Sequence, residues 1–449
     1  MKAGGKMNNS FENITPDSLT GALFAVEGIG DACTILNGPT GCKFYHSAIS
    51  DSQILRNPGY DPLEHLEINH FGQPRIPCTY LDSQDYIFGS GEKLSRIFKS
   101  TLESAAKKKY RLIGVINSPG AALIGDDIEQ FLDSTIRKPA EEKLRGIPCF
   151  SLENTGFSDS FGVGFQKAMI KILETLPMNE RNAKPKTVNL LGLTIYQKYY
   201  RQNYKTIKKL LELCGIEVIA APGAGDTTTI LSKIPEAALD VIIYPEYARE
   251  IALYLETQFG ISYICLDEGP PIGFDSIKAF ILQICRALNA DPNKAIECIE
   301  QSRARAFMFL SRFSSLLGLP KGAFFSIKAE SSTSYALTKW LCTYLGMIPA
   351  AISMNNEIDS IFAEKLKTFL DTINYPEALN NSVIETPTHI LLGDGNTILE
   401  LKNKGQKFCG IEIALPALGY LDITEKTLFG DQGALFLLEQ ILNGLRYVL

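Results

Sequence analysis

Residues 110–138 read YRLIGVINSPGAALIGDDIEQFLDSTIRK and contain the parts of one strand, loop and helix unit. The opening YRLIGVINS is short, apolar and β-branched, as a buried strand is. The closing DDIEQFLDSTIRK is amphipathic, and Asp126 and Asp127 stand where carboxylates cap a helix; a proton relay is the alternative role for them. Repetition of such units along a chain predicts parallel sheets with intervening helices.

The same alternation of strand and helix patterns continues to the end of the chain. A charged, proline-containing segment, PMNERNAKPK at residues 177–186, interrupts it and predicts a linker, after which the cycle restarts. A chain of 449 residues is too long for one ordinary core. We therefore predict an α/β protein of three Rossmann-like, doubly wound domains with mostly parallel sheets, at residues 1–183, 184–290 and 291–449.

Composition narrows the functional class and the compartment. The 44 basic and 50 acidic residues form no long run of either sign, which disfavours binding to nucleic acid. No apolar run reaches the roughly 20 residues that cross a bilayer, and the N-terminus lacks the apolar region of a signal peptide. We expect a cytoplasmic protein away from membranes, in which the ten cysteines are free or metal-bound rather than paired.

The segment TILNGPTGCKFYHSA, residues 34–48, places a cysteine after a glycine turn. Two glycines around Pro39 and Thr40 permit a tight turn, and little side-chain bulk would surround the Cys42 thiol. The residues alone leave two interpretations open, a thiolate for a bulky inorganic centre and an incidental cysteine. His46 is either a hydrogen-bond donor to the same site or a surface histidine.

The glycine-rich segment PGAGDTTT, residues 222–229, follows a predicted strand, where a phosphate-binding loop would stand. It lacks the lysine of a Walker loop and the spacing of a dinucleotide fingerprint. We therefore predict no nucleotide site on this chain.

Five segments together resemble, in order, those of nitrogenase component 1-type proteins over nearly the whole chain. They read GALFAVEGIGDACTILNGPTGCKFYH, DSQDYIFGSGEKL, VINSPGAALIGDDIE, DEGPPIGFDSI and ALPALGYLDITEKTLFGDQGALFLLEQILNGL. The resemblance implies an iron–sulfur oxidoreductase subunit that works in a dimer or heterotetramer with a homologous sister subunit or a second copy of itself. It also implies a separate ATP-hydrolysing iron protein that delivers electrons for reduction of an unsaturated organic substrate.

The resemblance also implies where an iron–sulfur cluster would be held. Three family ligand positions fall on Asp17, Cys42 and Ser118, so only one of three expected thiolates is present. A 4Fe–4S cluster shared across a subunit interface, with Asp17 as an oxygen ligand, fits this set better than an eight-iron cluster. Cys33 and Cys78 could substitute, although Cys33 lies in an apolar, helix-like run typical of core.

The second half of the chain departs from nitrogenase itself. The segment IIYPEYA, residues 242–248, has no cysteine where the family binds its large cofactor, and no histidine occurs near ALPALGYLDI. An iron–molybdenum cofactor and dinitrogen reduction are therefore not predicted. The leading hypothesis is a nitrogenase-like reductase subunit; the alternatives are a scaffold for cluster or cofactor assembly and a cluster-less structural partner.

Overall fold

The computed structural model describes residues 16–50, 53, 76–108, 110–125, 128–136, 146–153, 159–354, 357–416 and 422–448. Asp126 and Asp127 lie outside the described residues. The described chain contains three parallel β-sheets, built one after another along the sequence. The predicted α/β class with Rossmann-like sheets is confirmed.

The first sheet has the strand order β1-β2-β3 and helices on both faces. Along β1, Ile35 faces a cluster that includes α4 and α6, whereas the next residue, Leu36, faces the cluster that includes α1. Its elements are α1 (Ser18–Glu27), β1 (Ala32–Asn37), α2 (Thr40–Ser50), α3 (Asp85–Phe88), α4 (Gly91–Lys108), β2 (Leu112–Asn117), α5 (Pro119–Ala122), α6 (Ile128–Ile136), β3 (Cys149–Leu152) and α7 (Phe161–Thr175).

The middle sheet has the order β5-β4-β6-β7, so the direction of winding reverses between β4 and β6. A reversal of this kind opens a crevice at the carboxyl ends of the two strands. The elements are β4 (Thr187–Leu191), α8 (Tyr200–Leu213), β5 (Glu217–Ala220), α9 (Thr228–Leu231), β6 (Leu239–Ile242), α10 (Arg249–Phe259) and β7 (Tyr263–Cys265). A short 3₁₀ turn, Pro245–Tyr247, follows β6.

Two helices, α11 (Phe274–Leu288) and α12 (Asn293–Leu317), lead to the third sheet. Its order, β11-β10-β8-β9, reverses between β8 and β10 in the same manner. The elements are β8 (Phe324–Ala329), α13 (Ser331–Leu345), β9 (Ile348–Met354), α14 (Ser360–Thr372), β10 (Ile390–Asp394), α15 (Gly395–Asn403), β11 (Cys409–Ala414) and α16 (Gly430–Val448). Helix α16 packs against β11 and also against α8, α11 and α12.

Most predicted elements agree with the structure, and the exceptions lie near the N-terminus. Cys33 belongs to strand β1, so the helix-like interpretation of its surroundings was wrong, although its side chain is buried in the core as expected. Residues 177–184 form no helix or strand, as a linker predicts. The two boundaries between the three predicted domains stay predictions. No helix in the described ranges is long and apolar enough to cross a membrane.

Helices α1 and α7 approach so closely that their backbones touch. A Cβ atom at Gly164 would lie 1.9 Å from the Ser18 carbonyl oxygen, and one at Gly21 would lie 2.0 Å from the Phe161 carbonyl oxygen. Real Cβ atoms do not approach backbone atoms to such distances, so both positions require glycine. The contact fixes the start of α1 against the start of α7.

We expect Gly164→Ala to lower the free energy of unfolding by about 3 kcal/mol, because the added methyl group must push the two helices apart. Gly91→Ala is the matched control, since a Cβ at Gly91 on the first turn of α4 meets nothing within 4 Å. Urea unfolding of both variants measures the effect. Equal midpoints would contradict the described contact between α1 and α7.

Candidate functional site

Cys42 lies in the first turn of α2, close to the carboxyl end of β1. The turn after the strand is shorter than the sequence suggested, because the helix already begins at Thr40. Gly38 is the residue that needs to be small: a Cβ there would lie 2.7 Å from Oγ of Ser118. The loops after β1 and β2 therefore meet directly, which brings Ser118 to the Gly38 turn.

A buried network of side chains holds these loops in place. Nδ2 of Asn37 donates to Oδ1 of Asn117 at 3.1 Å, which links the ends of β1 and β2. Oγ1 of Thr79 donates to Oδ1 of Asn37 at 2.8 Å and accepts from the Gly38 amide at 2.9 Å. Ser118 meanwhile caps α5, since its Oγ accepts from the Ala121 amide at 3.2 Å.

Asp17 is the N-cap residue of α1. Its Oδ1 accepts hydrogen bonds from the amide and the hydroxyl of Thr20, both at 2.9 Å. Both bonds use Oδ1, and we find none to Oδ2 from the residues that the structure describes. The backbone of Asp17 also forms an antiparallel bridge with Ser160, just before α7.

The structure brings Cys42, Asp17 and Cys78 into one neighbourhood. Burial, and then the negative charges of Asp17 and Cys78, raise the pKa of the Cys42 thiol. Cys78 is buried beneath the turn, where its thiol donates to the Gly38 carbonyl at 3.2 Å. Cys78 forms a parallel backbone bridge with Leu36 of β1. This bridge brings a cysteine that is distant in sequence to the site.

The donors on the described part of this chain do not form a complete metal site. Nowhere in the described ranges do three or more His, Cys, Asp or Glu side chains converge in a way that would hold a metal ion. A thiol and a carboxylate are nevertheless ligand types that suit iron. The described group around Cys42 therefore fits part of a metal site but does not complete one.

Large apolar side chains are exposed on α2, which carries Cys42, on α3 and directly after α5. Phe44, Ile87, Phe88 and Leu123 have exposed fractions of 58%, 73%, 85% and 84%. We call these four residues the Cys42 patch. Tyr86 on α3 lies near both the thiol and α5. Burial and then the Cys42 charge raise the pKa of Tyr86, and its hydroxyl lies close to Gly120 of α5. Exposed apolar clusters of this kind are typical of protein interfaces.

His46 does not take part in this site, and the expectation of a surface position was wrong. The side chain is buried, with Nε2 at 2.5 Å from Oε2 of Glu27 in α1. Ser50 donates to the same glutamate oxygen at 2.9 Å, and the imidazole packs edge-on against Phe24. The histidine fixes α2 against α1 and thereby holds Cys42 in position.

A second concentration of ionisable groups lies where the three sheets meet. Glu246 follows β6, whereas Glu330 and Glu357 follow β8 and β9, and all three are buried. The sequence alone did not reveal this group, because the residues are far apart in the chain. Their positions could have indicated them, because each residue follows a strand that lies at a reversal of strand order or next to one.

Each of the three carboxylates has specific hydrogen-bond donors. Glu246 accepts from the Ser332 amide at 2.7 Å and from the Ser331 hydroxyl at 2.6 Å, at the start of α13. Glu330 accepts from the Tyr247 hydroxyl at 2.9 Å. Burial is the main cause that raises the pKa of Glu246 to about 7. We call Glu246, Glu330 and Glu357 the junction carboxylates.

Aromatic side chains fill the space beside the junction carboxylates. Phe24, Phe161, Tyr196 and Tyr247 are all buried, and the rings of Phe161 and Tyr196 lie 4.2 Å apart between centroids. These residues come from the first and middle sheets. The segment IIYPEYA, which contributes Glu246 and Tyr247, is thus packed into the junction by its aromatic and acidic side chains.

A buried ion pair occupies the region of ALPALGYLDI, of which residues 417–421 lie outside the described ranges. Nζ of Lys198 lies 2.7 Å from Oε1 of Glu412 in β11 and also pairs with Asp422. Burial raises the pKa of Glu412, while the hydrogen bond to Lys198 acts in the opposite direction. This lysine comes from the loop after β4, so the ion pair ties the middle sheet to the third.

The glycine-rich segment PGAGDTTT makes a contact between sheets. The Gly225 amide donates to the Gly28 carbonyl at 2.8 Å, at the end of α1. The Thr228 amide and hydroxyl donate to the Asp31 carboxylate at 2.7 and 2.8 Å. These backbone and side-chain groups therefore bind the first sheet unit.

The chain is an α/β protein with three successive Rossmann-like sheets, and a thiol and a carboxylate lie together near the loops of the first sheet. The chain belongs to the nitrogenase component 1 type oxidoreductase family, which its sequence matches over residues 18–446. A solved structure described as nitrogenase Cp1 at pH 6.5 has the same fold. It superimposes with a TM-score of 0.73 over 96% of this chain and 92% of that chain, at 16% identity.

Curated relatives include proteins of two kinds. The B-type subunit of the light-independent protochlorophyllide reductase from Halorhodospira halophila is 25% identical over 285 residues, which are 62% of this chain and 48% of the relative. Its counterpart from a Synechococcus strain is 29% identical over 170 residues, 35% and 32% of the two chains. The chain thus spans about a third to a half of these reductase subunits.

The second kind of relative is a nitrogenase iron-molybdenum cofactor biosynthesis protein, NifE, from Clostridium pasteurianum. It is 24% identical over 379 residues, which cover 83% of this chain and 76% of the relative.

We expect Asp17→Asn to increase the alkylation rate of Cys42 at pH 8 roughly threefold, because loss of the carboxylate charge lowers the thiol pKa and increases the thiolate fraction. Burial remains, but one of the two negative charges that raise this pKa is removed. Asparagine also caps helices well, so α1 keeps its start. Mass spectrometry of the Cys42 peptide after timed iodoacetamide pulses measures the rate.

Asp159→Asn is the control, because that carboxylate pairs with Lys167 and does not contribute to the pKa of Cys42. An unchanged rate in Asp17→Asn would contradict the proximity of the carboxylate to the thiol.

The junction carboxylates predict that stability falls as pH rises from about 4.3 to about 7. Burial first, with Glu330 adding repulsion, raises the pKa of Glu246 and of Glu357 to about 7, above the unfolded value of about 4.3. The folded protein therefore binds more protons than the unfolded chain within this window, and the free energy of unfolding decreases there. Each group accounts for up to about 4 kcal/mol.

Replacing both glutamates by glutamine removes these titrations, so we expect a shallower pH dependence in Glu246→Gln/Glu357→Gln. Urea unfolding at pH 5, 6, 7 and 8 measures it. Glu297→Gln, at an exposed position on α12, is the control. Parallel curves for the double variant and the unmodified protein would contradict the assignment.

Proposed function

We propose that this chain is a subunit of a nitrogenase-like reductase and holds part of an iron–sulfur cluster at Cys42 and Asp17. The observation that carries the proposal is the surroundings of Cys42. A partly exposed thiol stands close to a carboxylate and is bordered by the exposed Cys42 patch. An incomplete ligand set at an apolar face fits a centre that two subunits share.

The ligand set decides what kind of cluster fits. Iron–sulfur clusters are held by thiolates, commonly four. Cys42 supplies one and Asp17 has a carboxylate oxygen that is not used in capping, while Ser118 lies across the Gly38 turn. A 4Fe–4S cluster completed by a homologous sister subunit or a second copy of this chain agrees with this number. Such a cluster supplies one-electron transfer when bound.

The residues of this chain would prepare the site in two ways. Thiol pKa values fall when a metal coordinates the sulfur, so the proton that burial and Asp17 keep on Cys42 leaves on binding. The Cys42 patch, once covered by the other subunit, excludes water from the centre. Exclusion of water lowers the local dielectric constant and is one of the properties that set a reduction potential.

The remainder of the proposal rests on family membership. Electrons would come from a separate ATP-hydrolysing iron protein, as the family implies. The substrate would be an unsaturated organic molecule, as it is for the protochlorophyllide reductase subunits among the relatives. A heterotetramer is the assembly that the family implies.

A second candidate function is a scaffold for assembly of a cluster or cofactor. It is favoured by the length of the match to NifE, which extends over 83% of this chain. The buried aromatic residues and junction carboxylates at the meeting point of the sheets also agree with a chain that does no chemistry on a substrate there.

Anaerobic purification, alone and with a co-produced component 1-type sister subunit, tests the proposal. We expect about four iron and four sulfide ions per cluster-binding unit and an EPR signal after reduction with dithionite. Cys42→Ala should abolish iron binding, and Asp17→Ala should lower iron retention or shift the EPR g-values. Cys298→Ala, a half-buried cysteine on α12, is the matched control and should retain the signal.

The outcomes separate the candidate functions. Absence of iron from both preparations would refute the cluster and leave a structural partner. Iron with unchanged spectra in both ligand variants would refute the assigned ligands. Iron without ATP-dependent reduction by an iron protein would favour the scaffold.

A further inference from the structure

The start of helix α7 is capped by a residue from the third sheet. Ser160, the N-cap residue of α7, makes no cap bond with its own side chain. Its hydroxyl donates instead to Oε2 of Glu357 at 3.1 Å, and the same oxygen accepts from the Gly162 amide at 3.0 Å. The carboxyl group therefore satisfies the Gly162 amide, one of the first-turn donors that a helix leaves open.

The fit between Glu357 and α7 leaves no space for an additional atom. A Cβ at Gly162 would lie 2.5 Å from Oε2 of Glu357, so this position of α7 must be glycine for the carboxyl group to reach the helix. The side chain is buried, and Glu330 is the charged neighbour that acts on it.

The same turn of chain also holds Asp17. Ser160 forms a backbone bridge with Asp17, and the Ser18 amide donates to the Asp159 carbonyl at 3.1 Å. The close contact at Gly164 then presses Ser18 against α7. A short path of contacts thus runs from Glu357 through Ser160 to Asp17, the carboxylate beside Cys42.

We infer that Glu357 is a positioning residue for Asp17, so that seating of the third sheet unit on α7 sets the geometry of the site at Cys42. The part of this inference that concerns a bound cluster rests on the proposed function. The part that concerns the start of α1 does not, because it can be measured without iron.

Hydrogen–deuterium exchange of the iron-free protein tests the path directly. The amides of Ser18, Thr20 and Gly21 bond to Asp159 or Asp17, so their exchange reports whether the start of α1 is held. We expect exchange at these amides to rise about tenfold in Glu357→Ala, as the loss of buried hydrogen bonds implies. Glu357→Gln keeps an acceptor oxygen and should remain near the unmodified protein.

Two further variants separate positioning from general loss of stability. Ser160→Ala removes only the bridging hydroxyl and should reproduce the exchange change if Glu357→Ala does not fold. Glu246→Ala is the matched control, since it removes a junction carboxylate that caps α13 instead of α7. The inference is overturned if exchange at the start of α1 is unchanged, or rises equally in Glu246→Ala.

The cluster-loaded protein supplies a second readout. We expect Glu357→Ala to shift the EPR g-values as Asp17→Ala does, and the double variant to show no further shift, because one residue acts through the other. Additive shifts would overturn positioning through Asp17. If no preparation binds iron, the proposed function fails, whereas the exchange experiment still decides the role of Glu357.

Discussion

The contact between the backbones of α1 and α7 is the constraint on which the rest of the structure depends. Glycine at positions 21 and 164 lets the two helices touch, and both helices contribute to the core that all three sheets share. Helix α7 also reaches the middle sheet unit, because Gln166 donates to the Glu246 carbonyl at 3.2 Å. The backbone contact thus holds the two helices of the first sheet unit together, and the Gln166 side chain links that unit to the middle one.

Helix ends are stabilised from neighbouring units elsewhere in the molecule as well. Glu246 of the middle unit caps α13 of the third, and Glu357 of the third caps α7 of the first. A helix N-terminus returns to a buried carboxyl group part of the stabilisation that it loses on leaving water. Carboxyl groups of one unit that cap helices of another therefore join the three sheets by directional hydrogen bonds, in addition to apolar contact.

The sequence predicts the strands and helices well because their patterns are local. It also places Cys42 after a strand, and the resemblance to a family adds Asp17 and Ser118. Cys33 was misassigned because a fully apolar strand and a buried helix have the same local composition. The junction carboxylates escaped detection since Glu246 and Glu357 are more than a hundred residues apart, and only the sheet order brings them together. The apolar residues of the Cys42 patch resemble core residues in sequence, so only the structure distinguishes the exposed residues from the buried ones.

The position of Cys42 beside an apolar face has a consequence for the order of events during biogenesis. In the function proposed above, a second subunit that covered that face would enclose the centre at Cys42, and neither an iron donor nor a chelator would reach it. Loading must then precede subunit association or accompany it. A chain that waited for such a partner would expose phenylalanine and leucine side chains throughout the delay, so synthesis of the two subunits in matched amounts would protect this chain from aggregation.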